Sequence, residues 1–432
     1  HRLWCTGLVR HLWRRRRRQA AIVTAAATAL LALLLLASAL LSRPLPPPFQ
    51  LESASTAIAV ESIDLFDSRR DVIVLLHMQK TGGSHLNRQL VSGLRRPDMR
   101  CQCGRGGLGG ARRRKWRCNC RNSRGDLWLV SRYSTGWLCG LHADFAALSA
   151  CVPGQLAALD SDFERPRRLR YVTMLRRPAD RFLSEWQHAR RGATWRKSQP
   201  TCRGSRPPPC RTGDGAWRGV SLAEFAACRA NPALNRQARM LANTSGLPCR
   251  AVFANGNRTA DLLLASALHN LVGMAAFGLT EWQILTQYLL SRRLGLSFSR
   301  LFWQQDATVA SNWRASGNFS LVADAGDLQQ RRLAELANPA DARLYAAAER
   351  LFFGQARRLL AREPLLSVGQ RARVRDADSA IGGDALTALA RRVLLELGAV
   401  EVDDAEKADI RRRVRKKLLR AGNDEAESDS NS

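Results

Sequence analysis

Two periodicities share residues 71–364. Short apolar, β-branched runs predict buried strands at Val72–Leu76, Leu127–Ser131, Arg170–Leu175 and Met274–Leu279. Between them, apolar positions spaced by three and four predict helices. One starts near Ser84, and one follows Pro178, which suits a first helical position. Longer ones cover Asp261–Leu271, Glu281–Leu294 and Asp341–Ala361. This alternation predicts an α/β fold with a mostly parallel central sheet flanked by helices. Residues 101–125 (Gly, Arg and Cys) and 200–219 (Pro and Gly) read as loops. No strand precedes Gly104–Gly110, so that stretch is not a dinucleotide motif. Ala385–Leu397 and Ala405–Leu419 have helical spacing with heavy charge, and Asn423–Ser432 reads as disordered.

The N-terminal pattern is different. Ala20–Leu41 is uncharged, apolar and long enough to span a bilayer. Arg14–Arg18 precede it, which keeps the N-terminus cytosolic and sends the remainder across. A cleaved signal peptide is the alternative, but the apolar run exceeds the usual length of such a core. The chain begins at His1 rather than Met, which leaves the native start open. Pro44 and Pro46–Pro48 then favour an extended stem. The expected organisation is a cytosolic basic tail (1–19), a signal-anchor (20–41), a luminal stem (42–70), a catalytic domain (71–364) and a charged, partly disordered extension (365–432).

Cysteine and charge sharpen the compartment. Of 11 cysteines, Cys5 falls on the cytosolic side. Cys101, Cys103, Cys118, Cys120, Cys139, Cys151, Cys202, Cys210, Cys228 and Cys249 form an even luminal set that suits disulfides, with connectivity left open. The Cys-x-Cys pairs also admit a zinc reading, although structural zinc sites usually space such ligands more widely. Sequons at Asn243, Asn257 and Asn318 point the same way. A net charge of +31 over 432 residues favours polyanionic partners without choosing among nucleic acid, lipid and sulfated sugar.

The segment His77-Met78-Gln79-Lys80-Thr81-Gly82-Gly83 carries the sharpest chemistry. A buried strand, a turn with lysine and paired glycines, and a helix N-terminus together make an anion cradle. The lysine precedes the glycines, the reverse of a nucleotide-hydrolase P-loop.

That order resembles the phosphosulfate loop of sulfotransferases, and the wording resembles the heparan-sulfate 6-O-sulfotransferase family. Ser134–Phe145, Leu175–Trp195, Asn235–Ala242 and Gly273–Tyr288 extend the resemblance in family order over roughly residues 70–360. It implies a P-loop-like sulfotransferase fold in a Golgi single-pass type II membrane protein. It also implies 3′-phosphoadenylyl sulfate as donor, heparan sulfate as acceptor at the glucosamine 6-hydroxyl, and neither metal nor nucleic acid. Oligomeric state is not legible.

The resemblance assigns roles residue by residue. Lys80, Thr81, Gly82, Gly83 and Ser84 cradle the phosphosulfate, and Lys80 also offsets charge on the leaving phosphate. Arg176 and Ser184 hold the 3′-phosphate. His142 is the base, while His77 and His85 are rivals by proximity. Arg132, Trp137, His188 and Trp195 line the acceptor site. Lys115 and Arg117 stand where the family has a Lys-Lys pair. Trp303, Gln304 and Gln305 form a second nucleotide contact. This chain has Ser84 for a family Thr, Arg177 for Asp, Asp180 for Ser and Val309 for Arg, departures that put local ion pairing and donor affinity in question. Two other readings stay open: a non-catalytic polyanion-binding protein, and a sulfotransferase for another acceptor position.

Overall fold

From Asp71 to Leu76 every residue is buried, so this run is an interior strand. The computed structural model describes residues 65–106, 115–159, 167–193, 210, 217–246, 257–302, 325–375 and 382–396. They open with β1 (Asp71–Leu76), α1 (Gly83–Ser92), β2 (Cys101–Gly106), β3 (Lys115–Cys120), β4 (Leu129–Val130), α2 (Phe145–Leu159), β5 (Arg168–Leu175) and α3 (Pro178–Arg190). There follow α4 (Leu222–Ala227), α5 (Arg236–Leu241), α6 (Asn257–Val272), β6 (Ala276–Leu279), α7 (Gln283–Leu294), α8 (Ala325–Leu336), α9 (Pro339–Leu360), α10 (Val368–Arg375) and α11 (Gly383–Glu396). The expected anchor at 20–41, the helix at 405–419, Cys202 and Cys249 lie outside the described residues. Among the described residues no helix is long and apolar enough to cross a membrane.

The main sheet has strand order β4-β1-β5-β6, and every pairing is parallel. The predicted α/β fold with a parallel sheet and flanking helices is therefore present. Along β1 the side chains alternate between two cores. Val72, Val74 and Leu76 join the face covered by α6, α7 and α9, and Ile73 and Leu75 join the face with α1 and the Cys-rich hairpin. The buried Asp71 carboxylate fixes the strand start. Arg168 Nε donates to it at 2.7 Å and the Asp67 N–H at 3.0 Å.

Three expectations are corrected. Residues 101–125 are not all loop, because β2 and β3 form an antiparallel pair. Cys101 is bonded to Cys120 and Cys103 to Cys118, which also removes the zinc reading of these cysteines. The strand expected at Leu127–Ser131 is shorter. Ser131 starts a turn by accepting the Ser134 N–H on its hydroxyl and the Thr135 N–H on its carbonyl. Packing also continues beyond 364. Leu366, Val374, Leu386, Ala390, Val393 and Leu394 are buried in the main core. Cys139–Cys151 and Cys210–Cys228 are further disulfides.

A buried ionic cluster joins α3, α5 and α9. Glu185 accepts from Arg181 Nη1 at 2.5 Å and from Arg236 at 3.0 Å (Nε) and 2.5 Å (Nη2). Burial pushes the Glu185 carboxyl up, but the charges of Arg236 and Arg181 outweigh it and hold the pKa below the usual range. Glu185→Leu leaves the buried Arg236 cation without its carboxylate and Arg181 with Asp341 at 3.6 Å, and should cost about 3–5 kcal/mol in denaturant unfolding. A loss below about 1 kcal/mol would contradict this account of the cluster.

Candidate active site

All four main-sheet strands send their carboxyl ends to one side, and the candidate residues sit on the segments that leave them. After β1 the chain turns through Lys80 at φ 66° and Gly82 at φ 76°, both left-handed. That geometry suits Gly82 and strains Lys80. Thr81 is held inward, its hydroxyl donating to the Met78 carbonyl at 3.3 Å. Thr280, just past β6, lies with its hydroxyl 2.7 Å from the Thr81 carbonyl and 2.9 Å from that of Leu175. It thereby ties the loop to two strand ends. Gly83 opens α1 against the His77 ring, where a Cβ would come within 2.8 Å of His77 Cδ2. Ser84 Oγ lies 3.5 Å from His77 Nε2.

Lys80 meets Arg176 here. Arg176 Nη1 donates to the Lys80 carbonyl at 3.2 Å, across a sequence separation of 96. Burial lowers the Lys80 pKa and the Arg176 charge lowers it further, while Glu185 opposes. His188 is lowered by burial and then by the Lys80 charge, so it also faces this cation. Ser184 is half-buried in the second turn of α3, beside Glu185. The Arg177 side chain is exposed, but its N–H donates to Glu281 Oε1 at 2.8 Å. Asp180 pairs with Arg331 at 2.6 Å.

The segment after β4 brings in His142, at φ 54°. Its Nδ1 lies 3.0 Å from the His77 carbonyl. A carbonyl can only accept, so Nδ1 carries the proton and Nε2 is the basic nitrogen of the neutral ring. Burial lowers the His142 pKa to about 4; the bond to His77 opposes this and the Arg236 and Arg132 charges add to it. His77 is lowered to about 3, first by burial and then by His142 and Arg132. The His142 ring centre lies 4.4 Å from Trp137 and 5.2 Å from His77. Arg132 stacks over Trp137 at 5.6 Å. His85 instead packs edge-on against Phe302 at 5.8 Å.

Arg117 is exposed, and its Nη1 donates to the Arg132 carbonyl at 2.9 Å. It lies against Gly136, where a Cβ would collide with Nη1. Arg117 thus tethers the disulfide hairpin to the loop carrying Arg132 and Trp137. Lys115 opens β3. Asn243 is exposed, with its Oδ1 accepting the Ser245 hydroxyl at 2.6 Å, and Asn257 opens α6. Trp195, Trp303, Gln304, Gln305, Val309 and Asn318 lie outside the described residues. Among the described residues no group of three or more His, Cys, Asp or Glu side chains is placed to hold a metal.

Sequence reasoning missed the supports of the site: Thr280, Glu185, Arg236, Gln237 and Asp341. The block Asn235–Ala242 belongs to the family resemblance, which assigns its residues no role. Its one signal is a run of buried polar side chains, Asn235, Arg236, Gln237 and Arg239, on a short helix.

No protein-family model matches the chain. Curated proteins do. Heparan-sulfate 6-O-sulfotransferase 1 of Homo sapiens is 45% identical over 290 residues, covering 65% of this chain and 66% of that protein. Heparan-sulfate 6-O-sulfotransferase 1-B of Danio rerio is 42% identical over 297 residues, covering 67% and 68%. Heparan-sulfate 6-O-sulfotransferase 3 of Mus musculus is 42% identical over 299 residues, covering 67% and 59%. The matched stretch thus spans about two thirds of the length of most of these relatives. With identity at this level over that span, and with a parallel α/β sheet carrying the Lys80 loop, the chain belongs to the heparan-sulfate 6-O-sulfotransferase family.

Proposed function

We propose that this protein transfers a sulfuryl group from 3′-phosphoadenylyl sulfate to the 6-hydroxyl of glucosamine units in heparan sulfate. The observation that carries the reading is the His142 Nδ1 bond to the His77 carbonyl, which ties a neutral imidazole to the donor loop. The residues fit the donor. Lys80 and Arg176 supply cations, and the first turn of α1 supplies backbone N–H groups behind Gly82. The donor brings an activated sulfuryl group on a phosphate leaving group.

His142 Nε2 takes the proton of the acceptor hydroxyl as its oxygen bonds to sulfur. The bond from sulfur to the bridging oxygen breaks, its electron pair passes to the 5′-phosphate, and Lys80 stabilises that charge. Arg176 and Ser184 hold the 3′-phosphate. Arg132, Trp137 and His188 face the sugar chain, with Lys115, Arg117 and Trp195 extending the acceptor surface. Trp303, Gln304 and Gln305 add a second nucleotide contact.

The same reading places the protein in the Golgi membrane as a single-pass type II protein with a luminal catalytic domain. The apolar run Ala20–Leu41, the disulfides and the exposed Asn243 sequon support it.

Incubation with labelled donor and desulfated heparan, followed by disaccharide analysis, tests the reaction. Label is expected at glucosamine O6. Lys80→Ala should abolish most transfer while leaving heparin-column retention nearly unchanged, since the basic background remains. Full turnover in that variant would remove the donor-loop assignment.

His142→Ala should slow transfer by roughly 10²–10⁴-fold. Nucleotide affinity, measured on the same sample, should stay close to wild type, and the protein should stay folded with a modest loss of thermal stability from the missing bond to the His77 carbonyl. A stable variant with near-normal turnover would pass the role to another group. Activity loss that only tracks unfolding would make His142 structural.

A further inference from the structure

Gln237 is fully buried in α5, and its side chain reaches out of its own helix to the chain just past β5. Its Oε1 accepts the Arg176 N–H at 2.8 Å, and its Nε2 donates to the Arg176 carbonyl at 2.9 Å. These are the two bonds a neighbouring strand would make. They are applied one residue beyond Leu175, where the pairing of β5 with β6 ends. Both backbone polar groups of Arg176 are thereby held, so the guanidinium that reaches the Lys80 carbonyl extends from a fixed backbone.

One position earlier, Arg236 grips Glu185 through Nε at 3.0 Å and Nη2 at 2.5 Å. Glu185 directly follows Ser184. Consecutive residues of one short helix therefore fix the backbone of Arg176 and the neighbour of Ser184.

The helix itself is locked from α9. The Asp341 carboxylate accepts the N–H groups of Gln237 at 3.2 Å and Ala238 at 2.8 Å. The Asn235 N–H donates to Asn338 Oδ1 at 2.8 Å, and Asn235 Oδ1 accepts the Ala340 N–H at 2.9 Å. Asn235 holds a left-handed φ of 47° to make this interlock. Such an over-determined support fits a distance that must not drift.

We propose that Gln237, with Arg236 beside it, is the positioning residue that sets the spacing of Arg176 and Ser184. It thereby sets the preference for a nucleotide carrying a 3′-phosphate over one without it. This rests on the reading of Arg176 and Ser184 as the 3′-phosphate ligands. Gln237 acts through Arg176: a displaced guanidinium loses its bond to the 3′-phosphate and leaves the 5′ side to Lys80 and the α1 N-terminus.

Calorimetry with 3′-phosphoadenosine 5′-phosphate and with adenosine 5′-phosphate reads this directly. Gln237→Met keeps the side-chain length and removes both bonds. It should weaken the 3′-phosphorylated nucleotide by roughly ten- to a hundredfold, the worth of a charge-assisted hydrogen bond. Affinity for adenosine 5′-phosphate should change by less than about twofold on the same argument. In turnover, KM for the donor should rise while kcat at saturating donor changes less. Gln237→Glu can still accept the Arg176 N–H and should regain part of the affinity ratio; it also serves if Gln237→Met does not fold, since it must still fall below wild type.

An unchanged ratio in the folded variants, with Arg176→Ala losing it, overturns this inference and leaves the 3′-phosphate site standing. Equal loss for both nucleotides also overturns it, because that reports general damage. An unchanged ratio in Arg176→Ala removes the site and the inference together.

Discussion

Parallel strands deliver their carboxyl ends to one side of a sheet, and that constraint assembles this site. β1 ends in the Lys80 loop, β5 in Arg176, β6 in Thr280, and β4 in the segment leading to His142. Side chains nearly a hundred positions apart meet because their strands are neighbours: Arg176 reaches the Lys80 carbonyl from the adjacent strand. The same constraint explains why the acceptor-side loop needs extra tethers. β4 is short and lies at the edge of the main sheet. The segment that follows it is held instead by Arg117, by the Cys139–Cys151 bond to α2, and by His142 on the His77 carbonyl.

A cationic site of this kind repels itself before any ligand binds. Burial and Arg176 lower the Lys80 pKa, and burial with nearby arginines lowers His142 and His77. The fold offsets this with one deep carboxylate. Glu185 sits between Arg181 and Arg236 and is close enough to act on Lys80, His188 and His142. A buried ion pair is weak evidence of net stability. Its position here matters more, because it pins α3 and α5 together beside the residues read as phosphate ligands.

Much of this was legible in the sequence. The apolar, β-branched run Val72–Leu76 read as a buried strand, which β1 is, and Pro178 suited the first position of the helix it opens, α3. β6 starts two residues later than its apolar run because Met274 still bonds back to Leu271 at the end of α6. The hairpin β2–β3 was hidden because Gly and Arg are weak strand formers and its period-two signal is carried by the Cys-x-Cys pairs alone; cross-strand disulfides set its register. The helical spacing of Ala385–Leu397 matches α11, but its charges hid the packing: Leu386, Ala390, Val393 and Leu394 form a stripe that joins the main core. Lys80 was singled out by its setting between a buried strand and a helix N-terminus, and Arg176 and His142 by the family blocks. Gln237 was not, because a glutamine that replaces a strand partner has no local signature.

The central claim is that the loop after β4 presents a neutral histidine whose Nε2 is basic. Ring-nitrogen NMR of His142 in the ligand-free protein tests it most directly. A histidine whose folded pKa is depressed stays neutral below its ordinary 6.5 and gains its proton only as pH falls through about 4. The account therefore predicts a neutral ring at about pH 5.5, with the proton on Nδ1. An imidazolium at that pH, or a neutral ring with its proton on Nε2, would contradict it.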